Sequence, residues 1–110
     1  MYNVLRYWTM SNKFKKERGK KMKEKQMKLS ETVELMCSEN FKDRFLAEYL
    51  QLKIRLNGLN AMLEKYKNGT LDFKPKCSYN LLNAQRKVME IYLSYLEERA
   101  EIENISIDNE

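Results

Sequence analysis

Three polar side chains recur at seven-residue intervals in the second half of the chain. Gln85, Tyr92 and Arg99 are spaced i, i+7 and i+14, so a helix would place them on one side. The planar guanidinium of arginine donates two hydrogen bonds to a phosphate, and a tyrosine ring offers a flat surface for stacking. The spacing therefore predicts a site for an anionic ligand that carries an aromatic ring.

Two more polar residues, Arg44 and Glu48, lie one helical turn apart earlier in the chain. If the two segments pair antiparallel, Glu48 comes close to Arg99. A purely structural alternative stays open, in which these two residues form an ion pair that fixes the register while Gln85 bonds a backbone group near the connector. The candidate ligand-binding residues comprise four cations, two tyrosines and two hydrogen-bonding groups; Lys53 and Arg86 fit an ordinary surface role best. They are Arg44, Glu48, Tyr49, Lys53, Gln85, Arg86, Tyr92 and Arg99.

The first strong helix signal begins at Asn40, a favourable N-cap, and Asp43 follows where a carboxylate can reach back to the cap. Apolar side chains then recur every three or four residues, as in helical bundles. Asn68-Gly69 predicts the end of this helix, because glycine is preferred there. The apolar series is Phe41, Phe45, Tyr49, Leu52, Leu56, Leu59, Leu63 and Tyr66.

A second helix is predicted from Tyr79 to Asn104, with Ser78 as its cap. It offers two series of side chains at steps of three or four. One is Leu82, Gln85, Met89, Tyr92, Leu96 and Arg99; the other is Leu81, Ala84, Val88, Ile91, Tyr95 and Ile102.

Two helices of similar length joined by a short connector predict an all-α fold, an antiparallel, coiled-coil-like hairpin over residues 40–104. Folding the chain at the connector places Tyr66 opposite Leu82 and Tyr49 opposite Arg99. The two helices carry more apolar surface than one pair can bury, so we expect a homo-oligomer. The candidate oligomer interface consists of Leu46, Leu50, Ile54, Val88, Ile91 and Tyr95.

Residues 1–39 differ in composition from the rest and are interpreted as a basic, flexible N-terminal extension with a short helix over 30–38. Between residues 13 and 28 there are nine basic and two acidic residues. That segment is either a solvated tail or a nonspecific binder of nucleic acid or acidic membrane surfaces. Residues 105–110 form an acidic tail, and Met10 is an alternative start.

The composition argues against catalysis. The chain has no histidine and three glycines, which excludes histidine-based triads and leaves no phosphate-binding loop. Cys37 and Cys77 are interpreted as reduced thiols, and they are too few for a zinc site. We therefore expect no enzyme activity, no catalytic residue, no metal and no cofactor. No apolar run approaches the roughly 20 residues of a membrane span, and a cytoplasmic location is expected.

Two segments of the chain are Phe41-Lys-Asp-Arg44-Phe-Leu-Ala-Glu48 and Leu81-Leu-Asn-Ala-Gln85-Arg-Lys-Val-Met89-Glu-Ile-Tyr92-Leu-Ser-Tyr-Leu96-Glu-Glu-Arg99. Together they resemble a family of small phage and prophage proteins related to a crAss-like phage protein. The shared pattern, F-x-x-R-x-x-x-E and then L-L-x-x-Q-x-x-x-M-x-x-Y-x-x-x-L-x-x-R, covers residues 40–102. The basic extension and the connector with Phe73, Pro75 and Cys77 depart from it.

The resemblance implies a phage origin, hence the host cytoplasm, and a helical hairpin. The architecture is also similar to phage hairpins that sequester the nucleotide signals of CBASS and Thoeris defences as oligomers, without cleaving them. The leading hypothesis is therefore a non-enzymatic, homo-oligomeric anti-defence protein that binds a small cyclic nucleotide or another phosphate-bearing ligand. The alternatives are a hairpin that docks on a protein partner and a nucleic-acid-associated protein that uses residues 13–28.

Overall fold

The computed structural model describes residues 27–107, and this part of the chain is all-helical. A 3-10 turn over Leu29–Thr32 continues into the short helix α1 (Val33–Met36), and two long helices follow, α2 (Phe41–Asn68) and α3 (Tyr79–Glu103). The predictions for residues 1–26 and for residues 108–110 lie outside the described residues. No helix in the described range combines the length and apolarity that crossing a membrane requires.

Helix α2 begins and ends where the local chemistry predicts. The Asn40 side chain accepts a hydrogen bond from the Lys42 backbone N–H at 2.8 Å. Asp43 acts differently from expectation, because its carboxylate accepts from the Ser38 hydroxyl at 2.8 Å instead of reaching the cap itself. At the other end Gly69 takes a left-handed conformation, with φ of 76°, that glycine adopts without a steric penalty.

Helix α3 is capped at both ends by side-chain and backbone chemistry. The Ser78 hydroxyl accepts from the Leu81 N–H at 3.1 Å. Asn104 adopts a left-handed conformation with φ of 58°, and the Ile105 N–H then bonds back to the Ala100 carbonyl at 2.9 Å. This chain reversal turns Ile105 inward, where it is buried against the core.

The core lies between α2 and α3. On α3 the buried side differs from the prediction. Leu93 is only 1% exposed, whereas Tyr92 is 42% exposed. The series that faces α2 therefore passes through Leu93 and Ala100, not through Tyr92 and Arg99. The core cluster consists of Phe45, Tyr49, Leu52, Leu56, Leu93, Leu96, Ala100 and Ile105.

The helices pair antiparallel, but the predicted register is wrong by about one helical turn. The Tyr66 ring packs edge-on against Tyr79, with ring centroids 5.4 Å apart, and not opposite Leu82. At the far end Tyr49 bonds Glu97 instead of meeting Arg99. The aromatic pair beside the connector thus holds α3 about three residues from the position that simple folding at the connector predicts.

The short segment before α2 packs on the side of α2 that faces away from α3. Thr32 is fully buried there, and its hydroxyl donates to the Leu29 carbonyl at 2.8 Å. The Gln51 amide donates to the same hydroxyl oxygen at 2.8 Å. α1 and the 3-10 turn consequently cover part of the surface of α2.

Candidate functional site

The eight candidate ligand-binding residues do not form one cluster, because the contact between α2 and α3 separates them. Cross-helix bonds from Tyr92 to Glu48 and from Tyr49 to Glu97 lie on opposite sides of that contact. We call the first side the Tyr92 face and the second the Tyr49 face. The Tyr92 face contains Arg44, Glu48, Gln85, Tyr92 and Arg99; the Tyr49 face contains Tyr49, Lys53, Arg86 and Glu97.

On the Tyr92 face, the Tyr92 hydroxyl donates a short hydrogen bond to the Glu48 carboxylate. This bond, with partial burial, raises the pKa of the Tyr92 phenol above its ordinary value of 10.0, and the nearby positive charge of Arg99 opposes the shift. Tyr92 is therefore a neutral hydrogen-bond donor at physiological pH. Its anchored ring is still 42% exposed, so a ligand can reach it.

Arg99 lies over the ring of Phe45, with the guanidinium carbon 4.9 Å from the ring centroid. This geometry is a cation–π contact, which favours a position of the guanidinium above the ring. The structure therefore corrects the ion pair considered between Glu48 and Arg99: the carboxylate takes Tyr92 as its partner and the guanidinium takes Phe45. Phe45 was expected only as a core residue, and the register error hid its second role.

Arg44 and Gln85 are both exposed at the edges of the Tyr92 face. The Arg44 guanidinium donates to the Ser38 carbonyl at 2.9 Å, which ties it to the segment before α2. The Gln85 amide approaches the Met89 sulfur at 3.8 Å, a weak acceptor. Gln85 therefore does not bond the backbone near the connector, as the structural alternative proposed, and its amide can turn toward a ligand.

The Tyr49 face is closed and internally bonded. Tyr49 is 4% exposed, its hydroxyl donates to Glu97 at 3.2 Å, and the Lys53 ammonium lies 3.5 Å from the same hydroxyl. The Arg86 guanidinium bonds Glu90 at 2.7 Å and Asn83 at 2.9 Å. These contacts make Tyr49 a core residue and leave its ring no room for stacking a ligand.

A line of exposed apolar side chains runs along α3 next to the Tyr92 face. Its side chains are exposed, with Val88 at 64% and Ile102 at 76%. The residues that we predicted on α2 for the same interface, Leu46, Leu50 and Ile54, are half-buried instead. We call this surface the α3 stripe; it consists of Leu81, Ala84, Val88, Ile91, Tyr95 and Ile102.

The described residues hold no group of three or more acidic, cysteine or histidine side chains arranged for a metal ion. Cys37 and Cys77 are both exposed free thiols.

The arrangement on the Tyr92 face, with an anchored phenol, a stacked guanidinium and a second arginine, is suited to binding a ligand that carries both a ring and a negative charge.

A protein-family model named Sequestin matches residues 39–102. The chain belongs to the Sequestin family. The matched range begins just before α2 and ends at Ile102, so the match covers the hairpin, while the 3-10 turn and α1 fall outside it. The family name indicates a sequestering, binding role. No curated protein and no solved structure matches this Sequestin significantly.

Proposed function

We propose that this Sequestin is a phage accessory protein that binds a small, nucleotide-type host defence signal on its Tyr92 face and holds it without cleaving it. The observation that carries the proposal is the pairing of an exposed, anchored Tyr92 ring with Arg99 on one side of α3. The phage origin and the host cytoplasmic location rest on the resemblance of residues 40–102 to phage proteins.

The spacing of the two groups suits a ligand with a base and a phosphate. Tyr92 and Arg99 are two helical turns apart, which is about 10 Å along the axis. A base can stack on the Tyr92 ring while a phosphate accepts hydrogen bonds from Arg99. Arg44 lies toward the same end of the hairpin and supplies a second positive charge for a ligand with more than one phosphate.

The protonation state of Tyr92 fits a hydrogen-bonding role. The phenol is protonated at neutral pH, as an ordinary tyrosine is, and the hydrogen bond to Glu48 raises its pKa further, so it acts as a donor and not as a general base. Its hydrogen bond to Glu48 positions the ring, and the Glu48 carboxylate keeps a second oxygen for a ligand hydroxyl or amino group. Such a face retains its ligand by contacts alone.

Isothermal titration calorimetry of the full chain with cyclic dinucleotides, cyclic trinucleotides and cyclic ADP-ribose isomers tests the proposal. We expect one member of the panel to bind, and chromatography after heat denaturation of the complex should recover it intact. Absence of heat with every member removes the proposal, and recovery of a cleaved product replaces sequestration with catalysis.

Substitution of Arg99 localises the site. Arg99→Ala should lower the affinity for the nucleotide at least about ten-fold, which is the contribution of one charge-assisted hydrogen bond. Lys67→Ala removes an equal charge from the exposed end of α2 and should leave affinity unchanged. Equal losses of affinity in the two variants would show that Arg99 contributes only through its positive charge and not through direct contact with the nucleotide.

A further inference from the structure

The α3 stripe is an apolar surface along one helix that the hairpin leaves exposed. Contiguous exposed apolar surface usually marks an interface. Three properties of the stripe together identify its occupant: its symmetry, the charges beside it, and its position next to the Tyr92 face.

We propose that a second copy of this chain covers the α3 stripe, with the two α3 helices antiparallel, so that their two Tyr92 faces join into one ligand cleft. The inference rests on the proposed function of the Tyr92 face and adds that one copy holds only half of the site.

The stripe is symmetric about the point between Ile91 and Tyr92. Leu81 and Ile102 are equally far from this point along the chain, and so are Val88 and Tyr95. An antiparallel twofold pairing brings the members of each pair together across the interface. Ile91 then lies beside the same residue of the other copy, and every side chain of the stripe except Ala84, which faces Arg99, has an apolar counterpart.

The charges of α3 favour the antiparallel direction. Residues 79–90 carry two basic and one acidic side chain, and residues 91–103 carry one basic and four acidic. A parallel pair would place the two acidic halves against each other, whereas an antiparallel pair places each beside a basic half. In particular, Lys87 of one copy faces Glu98 of the other on the same flank of the stripe.

The stripe lies beside the Tyr92 face and not diametrically opposite the core. At 100° per residue its centre is about 140° around α3 from the side that packs on α2. Two hairpins joined there enclose a concave cleft on the Tyr92 side, where Arg99 of one copy approaches Gln85 of the other. The cleft thus contains two Tyr92 rings and two Arg99 guanidinium groups, which suits a ligand with two bases or two phosphates.

Disulfide cross-linking tests the direction of the pairing in a full chain that carries Cys37→Ser and Cys77→Ser. Ile91→Cys should cross-link to itself under mild oxidation, because the two positions meet at the twofold axis. Leu81→Cys should not cross-link to itself, but should do so with an equal amount of Ile102→Cys protein. Self-linking of Leu81→Cys, or no linking of Ile91→Cys, overturns the antiparallel pair.

Charge exchange provides a second readout, by light scattering coupled to gel filtration. The wild-type chain should elute as a dimer, twice the 13.3 kDa of one copy. Lys87→Glu and Glu98→Lys should each weaken the dimer several-fold, and the double substitution should restore it. A wild-type monomer at every concentration, or no restoration in the double variant, overturns the inference.

The shared cleft is separated from the proposed function by Val88→Glu, which introduces a charge into the stripe outside the Tyr92 face. This variant should be monomeric, retain its helical circular dichroism, and bind the nucleotide at least ten-fold more weakly than wild type. A monomer that binds as tightly as wild type overturns the shared cleft and leaves the proposed function standing. A cross-linked Ile91→Cys dimer that binds no member of the nucleotide panel overturns the proposed function and leaves the pairing standing.

Discussion

The Tyr92 face and the Tyr49 face contain the same interaction in opposite directions. On one, a tyrosine of α3 donates to a glutamate of α2; on the other, a tyrosine of α2 donates to a glutamate of α3. The difference is burial, because Tyr49 is 4% exposed and Tyr92 is 42% exposed.

This comparison shows that residue type and spacing do not separate a structural tyrosine from a ligand-binding one. Tyr49 completes the core, and its hydroxyl donates to one oxygen of the Glu97 carboxylate. Tyr92 uses the same kind of bond to hold an exposed ring in place. The accessible ring is therefore the better candidate for recognition.

Removal of each ring should give the largest contrast between the two faces. Tyr49→Ala leaves a cavity in the core and should lower the free energy of unfolding by about 3–5 kcal/mol, whereas Tyr92→Ala should cost well under half of that. Urea denaturation followed by circular dichroism measures both. Similar losses for the two variants would show that Tyr92 is also a core residue.

Truncation of Leu93 tests the boundary between the faces. Leu93→Ala should lower the free energy of unfolding by about 2–5 kcal/mol, because the side chain is buried on the line where α3 meets α2. Ile102→Ala, at an exposed position, should change the stability of the monomeric Val88→Glu variant by less than about 0.5 kcal/mol. The reverse order would contradict the burial of Leu93 and would place the predicted series through Ile102 against α2.

Removal of only the hydroxyl groups gives a smaller contrast. Tyr49→Phe should lower the free energy of unfolding by about 1–2 kcal/mol, because the Glu97 carboxylate loses a partly buried donor. Tyr92→Phe should cost less than about 0.5 kcal/mol, since water can replace the donor at Glu48. Thermal unfolding of both variants checks the order, and a larger loss for Tyr92→Phe contradicts it.

Ionisation of Tyr92 should have the smallest effect on the stability of the fold. The pKa of Tyr92 is raised in the folded protein, so the stabilisation that its protonated hydroxyl provides is fully present below pH 10 and is lost as the pH rises through the raised value. An ultraviolet titration should show one tyrosine that ionises later in wild type than in Glu48→Gln. Identical titration curves would mean that the bond to Glu48 does not hold the phenol in solution.

Local chemistry made the helix ends predictable. Asn40, Ser78 and the Asn68-Gly69 pair act through hydrogen bonds and backbone conformations within a few residues, and the structure has all three in the expected roles. Family membership over residues 39–102 likewise agrees with a binding protein built on the hairpin. The ligand, the oligomer and the individual site residues remain predictions.

The buried side of α3 was not predictable from spacing alone. The series through Tyr92 and the series through Leu93 share Leu82, Met89 and Leu96, so both satisfy steps of three or four. The greater apolarity of Leu93 and Ala100 was the signal that distinguished them. The register depends on how Tyr66 and Tyr79 pack beside the connector, a tertiary contact that no local pattern reports.

The chain reversal at Asn104 has a consequence for how the hairpin opens. Ile105 closes one end of the α2–α3 pair, and its neighbour's carbonyl lies 3.4 Å from the Lys42 ammonium; the tyrosine pair closes the other end. Contacts beyond the helices themselves therefore oppose fraying at both tips. The middle of α2 lacks such a contact at Gly58, where a side chain would project into open space with no atom within 4 Å of its Cβ. Amide hydrogens around Gly58 should therefore exchange with solvent sooner than those of the α2 turn around Leu52, whose side chain lies in the core.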